Sequence, residues 1–490
     1  MLISPQTLPF VLTAVLAAIA LAIVILSATG RKSASVAMGL TLAGFLFAVV
    51  LLLLDALGYF GASPLPGSLL VANDWVSYIF GISILIAVIL VAITAVDYFK
   101  GSGNTTAFYA LLMFTTIGAL LLTFSTDLLM MFVAWEMMSI PSYVLTGFKK
   151  KDPASNEASV KYFITSAFAS AILLYGISLI YGITGSTNIY QIIGSAGSSS
   201  LGPIGTLALA FVLAGFGIKL ATVPFHMWIP DAYQGAPTIV SAVLSTATKG
   251  ATFAPAARIF FVLFSAHVFQ IDWSLTFAVL ATLSMIFGNF AALTSKSVTR
   301  ILAYSSIGQA GYILIGFASG GVPGLTGSFY HILNYASMQT CAFLAAAIII
   351  REVGSDDLDA FNGVGKRMVI APVALSVSLL ALGGLPPLNG FWSKLVLFYS
   401  AINADLGWLA VIAIINSFVS IAFYVRIVKH MYVDAPPSTS KLFESTSFKV
   451  ALVIASVVII LTGIYPYPFI QFASTAANSF IQGVPHILGP

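Results

Sequence analysis

The sequence predicts an all-α polytopic membrane protein of about fourteen transmembrane helices. Three observations predict it. Charged residues are only 7% of the 490 and hydrophobic residues 59%, against a charged share of roughly 25% in soluble domains, and mean hydropathy is +1.03. Apolar windows of spanning length recur from end to end, and one span takes roughly 20 apolar residues. Lys and Arg fall only in every second connection between those windows, the asymmetry that orients helices in a bilayer.

The elements follow in order. The opening MLISPQTLPF has no basic n-region, so the first window, 8–28, reads as a retained helix and not a cleaved signal. Turn residues then separate windows at 34–58, 75–98, 106–125, 127–148 and 158–183. The seventh window, 203–225, carries Pro224 and is followed by Pro230, so it is expected to be broken. Windows at 238–266, 272–293, 299–319 and 323–350 come next. The twelfth, 369–404, contains Gly383-Gly384-Leu385-Pro386-Pro387 and is expected to break there. Windows at 406–431 and 448–472 complete the set.

The two broken windows lie five helices apart. Helices 4–8 (106–266) and 9–13 (272–431) then form two five-helix units of opposite orientation, the inverted-repeat pattern of transporters. The first three helices fill 1–105 and the last 448–490, all within a single membrane domain over 1–490. The longest connections, about 184–202 and 351–368, are too short for a soluble catalytic domain.

Fifteen of the twenty basic residues lie after odd-numbered helices or at the same ends: Arg31, Lys32, Lys100, Lys149, Lys150, Lys151, Lys296, Arg300, Arg351, Lys366, Arg367, Arg426, Lys429, Lys441 and Lys449. None lies after an even-numbered helix. The positive-inside rule then puts both termini on the outer face of the cytoplasmic membrane.

Composition also excludes functions. Basic residues do not alternate with aromatics, so nucleic acid is not an expected partner. One cysteine, Cys341, allows no internal disulfide, Cys-based zinc site or iron–sulfur cluster. No dinucleotide fingerprint, Walker sequence, heme ligand pair or metal cluster is evident, so neither cofactor nor metal is expected in this chain.

The remaining basic residues are Lys161, Lys219, Lys249, Arg258 and Lys394. Ionisable groups inside a span are expensive and usually functional. Glu136 lies mid-helix in AWEMMSIPSYVL, where an ion pair that forms and breaks is expected to outweigh a static one. Lys219 precedes the Pro224 break, where freed carbonyls make a polar spot. Lys249 follows Ser241, Ser245 and Thr248, which with Thr252 form a hydroxyl stripe on one helix face. That stripe either orders water beside the lysine or bonds its own backbone. Lys394 follows the second break as Lys219 precedes the first, the reversal an inverted repeat demands. Lys161 lies near a helix start. His331, in FYHILNYASMQT, shares a face with Asn334 and Tyr335 and could bridge Lys249 and Lys394. His226 is read as setting helix geometry, Arg258 as interfacial and Asp127 as a helix N-terminal acid. Glu136, Lys161, Lys219, Lys249, His331 and Lys394 are thus the candidate proton-relay residues.

At these residues the sequence resembles a known family. AWEMMSIPSYVL, KYFITSAFASAILLYGISLIYGITGSTN, PFHMWIPDAYQGAPTIVSAVLSTATKG and GGLPPLNGFWSKLVLF resemble the antiporter-like membrane subunits of respiratory complex I, most nearly subunit N. The resemblance covers roughly 70–470. It implies fourteen helices, two inverted five-helix repeats and proton translocation driven by quinone reduction elsewhere in the complex. It matches Glu136 to the helix-five glutamate, Lys161 to the lysine opening helix six, and Lys219 to the broken-helix lysine. Lys249 matches the central lysine of helix eight and Lys394 the lysine of helix twelve. A lysine at 394 separates the chain from the M type, although HILNYA around His331 is nearer the M and L types. The long lateral helix of the L type is not present.

The partners so implied are an M-type subunit, small K, J and A subunits and the lipid bilayer, with flavin and iron–sulfur clusters in other subunits. The donor, whether NAD(P)H, F(420)H(2) or ferredoxin, and the acceptor, a quinone or a phenazine, are handled elsewhere. The rival readings are a subunit of an Mrp-type Na+/H+ antiporter, a non-transporting scaffold and a solute carrier. The orientation is testable by cysteine labelling in intact cells. A cysteine at Lys150→Cys should be labelled only after the membrane is breached, and one at Ser199→Cys without breaching.

Overall fold

The computed structural model describes residues 7–29, 33–59, 70–101, 103–196, 202–265 and 272–483. All regular structure there is helical, apart from isolated bridges. Among the described residues twelve helices are long and apolar enough to cross a bilayer. In a bilayer only a helix bonds all its own backbone. The sequence positions of Arg31 and Lys32 lie outside the described residues.

The first six helices are α1 (Leu8–Ala28), α2 (Ala34–Ala56), α3 (Trp75–Tyr98), α4 (Thr105–Phe124), α5 (Leu128–Thr146) and α6 (Pro153–Thr184). Short polar side chains start several of them. Asp74 accepts from Ser77 N at 2.9 Å, Asp127 from Leu129 N and Met130 N at 2.9 and 3.0 Å, and Asp152 from Ala154 N at 3.0 Å. The reading of Asp127 as a helix-starting acid therefore holds. Gly118 lets α4 and α5 touch, since a Cβ there would lie 2.2 Å from Met138 N.

The expected seventh window ends five residues early. After a short helix α7 (Ile189–Ala196), inside a stretch expected to be a loop, α8 (Gly202–Leu220) stops one residue after Lys219. A turn with Ala221 at φ 54° and a cis Val223–Pro224 peptide leads to the seven-residue α9 (Ile229–Gly235). The break is not left unsatisfied. Trp228 Nε1 donates to Ile218 O at 2.8 Å, and Val223 N donates to Ser284 Oγ at 3.0 Å. The next span is compound: α10 (Thr238–Val243), a π-helical turn over Leu244–Thr248, and α11 (Lys249–Ser265). The π turn places Lys249 at its C-terminal edge.

The second half contains α12 (Trp273–Thr294), α13 (Val298–Ser319) and α14 (Gly321–Val353). The most apolar stretch of α14 is wholly buried, and it packs on α3, α13, α16, α17, α19 and α20 as the central post. Here α15 (Val364–Arg367) is a single turn, and α16 (Ile370–Gly383) and α17 (Asn389–Asn403) are the halves of the second broken span, with a cis Pro386–Pro387 peptide between them. Gly384 ends α16 at φ 84°, and a Cβ there would strike Lys394 Cδ at 2.9 Å. Then come α18 (Gly407–Tyr432), α19 (Thr446–Ile464) and α20 (Tyr467–Gly483). The expected window 448–472 is thus two helices divided at Tyr465–Pro466, because Pro466 cannot donate into a continuing helix.

One expectation is overturned. Arg258 is not interfacial but fully buried. Its guanidinium grips Asp74 at the start of α3 through two bonds of 2.7 and 2.8 Å, and also donates to Ser77 Oγ and Thr123 O. The pair pins α11 to α3 and to the end of α4. Breaking such a pair leaves a charge unpaired out of water. Asp74→Ala should therefore cost about 3–5 kcal/mol, read as unfolding of the detergent-solubilised chain. Asp74→Ala/Arg258→Leu should recover much of it.

Candidate functional site: a buried chain of lysines

Lys219, Lys249 and Lys394 are all buried, and each meets a different set of partners. Lys219 Nζ donates to Ser139 Oγ of α5 at 2.7 Å and to Tyr162 OH of α6 at 3.1 Å. The rings of Trp135, Tyr143 and Tyr162 lie 5.6, 5.7 and 5.1 Å from the ammonium, close enough for cation–π attraction. Tyr162 OH also shares a hydrogen bond with Ser142 Oγ at 3.1 Å.

Glu136 does not form the expected ion pair. Its Oε1 accepts a short bond from Ser170 Oγ on α6, and no ion pair joins it to a lysine among the described residues. It remains within electrostatic reach of Lys219. Two hydroxyls and three rings surround the amine, and α5 turns Ser139, not Glu136, towards it. These residues differ by three positions, so they lie on neighbouring parts of one face.

Lys249 Nζ donates to Ser306 Oγ at 2.6 Å and to Ser306 O at 2.9 Å, both on α13. The hydroxyl stripe of its own helix does not serve it. Ser245, Thr248 and Thr252 donate to Ala242 O, Leu244 O and Thr248 O, and Ser241 donates to Tyr233 O of α9. Self-bonding wins because an i−3 or i−4 carbonyl is always in reach of a helical Ser or Thr.

His331 is buried on α14. Its Nε2 is 3.0 Å from Gln309 Oε1 and its Nδ1 is 2.9 Å from Ser393 Oγ, next in sequence to Lys394. One turn along α14, Tyr335 OH donates to Ser306 Oγ at 3.0 Å, on the atom that takes Lys249. Lys394 Nζ donates to Ser417 Oγ at 3.0 Å and to Gly383 O at 3.2 Å, with the Tyr312 ring 4.4 Å away. The carbonyls freed by the second break are all used: Gln309 Nε2 donates to Leu382 O, and Lys394 and Ser417 donate to Gly383 O. A cleft of about 270 Å³ reaches Lys394 between Gly384, Phe391, Phe398 and Phe418.

Lys161 stands apart from this buried row. It is about half exposed and binds Glu157 and Asp231 at 2.7 Å each. Asp231, on α9, also takes Arg300 of α13 at 2.8 Å. Arg300 further donates to Gln234, which donates to Asp356, which accepts from Ser297 Oγ. These groups rim a polar basin of about 560 Å³ on the side of the basic connections. His226 follows the break, buried against the Phe287 ring at 4.2 Å. Among the described residues no cluster of three His, Cys, Asp or Glu could hold a metal.

Sequence reasoning missed Tyr162, Gln309, Ser393, Ser417 and above all Ser306. The signal for two of them was present: AYSSIGQAGY sets two serines and a glutamine within a span that has no reason to be polar if it only faces lipid.

Residues 125–420 match the family described as NADH:quinone oxidoreductase/Mrp antiporter, TM. The chain belongs to that family, on its subunit N branch. It is 40% identical to F(420)H(2) dehydrogenase subunit N of Methanosarcina mazei, over 82% of this chain and 84% of that one. It is 38% identical to NADH-quinone oxidoreductase subunit N of Moorella thermoacetica, over 82% and 85%. Among solved structures, a chain of respiratory complex I from Thermus thermophilus with bound Aureothin is 31% identical, with a TM-score of 0.79 over 94% of this chain and 99% of that one.

The rim makes a prediction about pH. The hydrogen bond from Lys161, followed by its charge and that of Arg300, holds the Asp231 carboxyl below the usual carboxylate range. A depressed folded value stabilises the fold above the unfolded value and loses that support as pH falls through the folded one. Thermal stability in detergent should therefore hold steady down to about pH 4 and decline below it. Asp231→Asn should flatten that share of the decline.

Proposed function

We propose that this chain is the proton-translocating subunit N of a complex I-type oxidoreductase, moving H+ along Lys219, Lys249, His331 and Lys394 with energy from partner subunits. The observation that supports the reading is three buried lysines bonded to hydroxyl and carbonyl groups, with amide, phenol and imidazole side chains hydrogen-bonded nearby. Such groups both give up and accept protons. Fixed structural cations would be better served by carboxylate partners, and these lysines have none within ion-pair distance among the described residues.

The architecture supports two inverted repeats as the frame. A bridge joins Asp127 before α5 to Asn188 after α6, and another joins Ser297 before α13 to Asp357 after α14. The offsets are 170 and 169 residues, with the two straps expected at opposite faces. The long helices α6 and α14 are 32 and 33 residues, and both end at a left-handed glycine, Gly185 and Gly354. An offset of 169 also pairs Tyr162, beside Lys219, with His331, beside Ser393-Lys394. The fourteen crossings, the units 106–266 and 272–431, and outward termini in the cytoplasmic membrane complete this frame.

In this mechanism Glu136 supplies the field that keeps Lys219 charged. A change in a neighbouring subunit moves or neutralises Glu136, and the ammonium loses its counter-field in a medium that solvates it poorly. The proton leaves for Lys249 and passes by Ser306, Tyr335, His331 and Ser393 towards Lys394. Lys161 and the basin it rims serve as the intake side. Outward movement against the membrane potential costs about 2.3 kcal/mol per 100 mV, so the drive is external. Relatives are named as subunits of quinone oxidoreductases, and the donor-oxidising flavin and iron–sulfur centres are assigned to partner chains. The membrane partners are an M-type subunit and the small K, J and A types.

The test uses assembled complex in sealed vesicles. Lys219→Ala and Glu136→Ala should each sharply lower the protons moved per electron. An unchanged ratio in both removes these residues from the mechanism.

A further inference from the structure

The hydrogen bonds around the lysines fall into two islands. One contains Lys219, Ser139, Tyr162 and Ser142. The other contains Lys249, Ser306 and Tyr335. Among the described residues no hydrogen bond joins them. Between them stands Tyr233, on the seven-residue α9.

Tyr233 is fully buried, and its hydroxyl makes no well-formed hydrogen bond. Tyr335 and Tyr162 act on it electrostatically and Ser306 lies near enough for a weak contact, so it borders both islands. The ring is held by neighbours on both sides. Trp228 stacks on Tyr162 at 4.8 Å and meets Tyr233 edge-on at 6.2 Å, while Phe343 of α14 meets Tyr233 at 6.0 Å. A buried hydroxyl without a well-formed bond is a liability that folded proteins rarely keep. Here that oxygen neighbours both sides of the gap.

The helix that carries it is short and held at defined points. Asp231 and Gln234 tie α9 to Arg300, and Asp231 to Lys161, at the rim of the basin. Ser241 Oγ bonds Tyr233 O and links α9 to the span of Lys249. The break at Ala221–Pro224 separates α9 from α8. A small shift of α9 therefore moves the hydroxyl relative to both islands without disturbing either lysine's own bonds.

We propose that the Tyr233 hydroxyl is the hand-off group between the Lys219 and Lys249 sites, brought into hydrogen bonding with Tyr162 and Ser306 by movement of α9. The transfer balances. The Lys219 ammonium gives its proton to Tyr162 oxygen, which releases its own hydroxyl proton to Tyr233. Tyr233 releases its proton to Ser306, and Ser306 releases its proton to neutral Lys249. Lys219 ends neutral, Lys249 ends as the ammonium, and each hydroxyl ends with one proton. The proposal rests on the proton-translocating reading above.

The test is Tyr233→Phe in assembled complex in sealed vesicles, beside Lys249→Ala and the parent. Phenylalanine keeps the ring between Trp228 and Phe343 and removes only an oxygen that makes no well-formed hydrogen bond. A purely structural role then predicts no loss, since no well-formed bond is deleted. The hand-off predicts that protons moved per electron fall to the level of Lys249→Ala. Parent-level pumping by Tyr233→Phe with Lys249→Ala impaired overturns the hand-off and leaves the lysine relay intact. Parent-level pumping by both overturns the relay and the hand-off with it. If Tyr233→Phe does not assemble, a ring-fluorinated tyrosine at 233 keeps the shape and acidifies the phenol. An altered pumping rate supports the hand-off, and an unaltered one overturns it.

Discussion

An ammonium group in hydrocarbon is the constraint from which the rest of this structure follows. Charged side chains at membrane depth are expensive unless protein or water solvates them, and three buried lysines raise that demand three times over. The fold meets it without ion pairs. Lys219 is solvated by two hydroxyls and three aromatic faces, Lys249 by a single serine through both its hydroxyl and carbonyl, and Lys394 by a serine and a helix-end carbonyl. None of the three involves a carboxylate contact, which would hold an ammonium more tightly.

The broken helices belong to the same constraint. A continuous helix already engages its own carbonyls, so an amine can only share one, as Lys249 shares Ser306 O, whereas a helix end leaves carbonyls free. At the second break the carbonyls of Leu382 and Gly383 are released and immediately taken by Gln309, Ser417 and Lys394. At the first break the indole of Trp228 takes Ile218 O, which leaves Lys219 to hydroxyls alone. The two breaks look alike in sequence but serve their lysines differently.

Contrast with Arg258 shows what a structural charge looks like in this chain. It has a bidentate carboxylate and two further acceptors, and it joins three helices. The exposed rim of Lys161, Asp231 and Arg300 is a third kind of arrangement, in which water shares the solvation and the ion pairs contribute less. Charge, burial and partner type thus sort these ionisable groups into a buried anchor, an exposed rim and buried lysines without carboxylate partners.

What the sequence determined by itself was the list of spans and the residues that cannot be there by accident. Hydropathy is a local property, so windows such as 75–98 and 272–293 fall within a residue or so of α3 and α12. Lysines amid apolar residues stand out for the same reason. Only the tertiary structure decided who meets whom. Glu136 turned to Ser170, the Ser–Thr stripe beside Lys249 bonded its own backbone, and Ser306, fifty-seven residues away, took the amine instead. Side-chain partners across helices depend on rotation and packing angle, and these are fixed by the whole bundle closing on α14, not by any local run of residues.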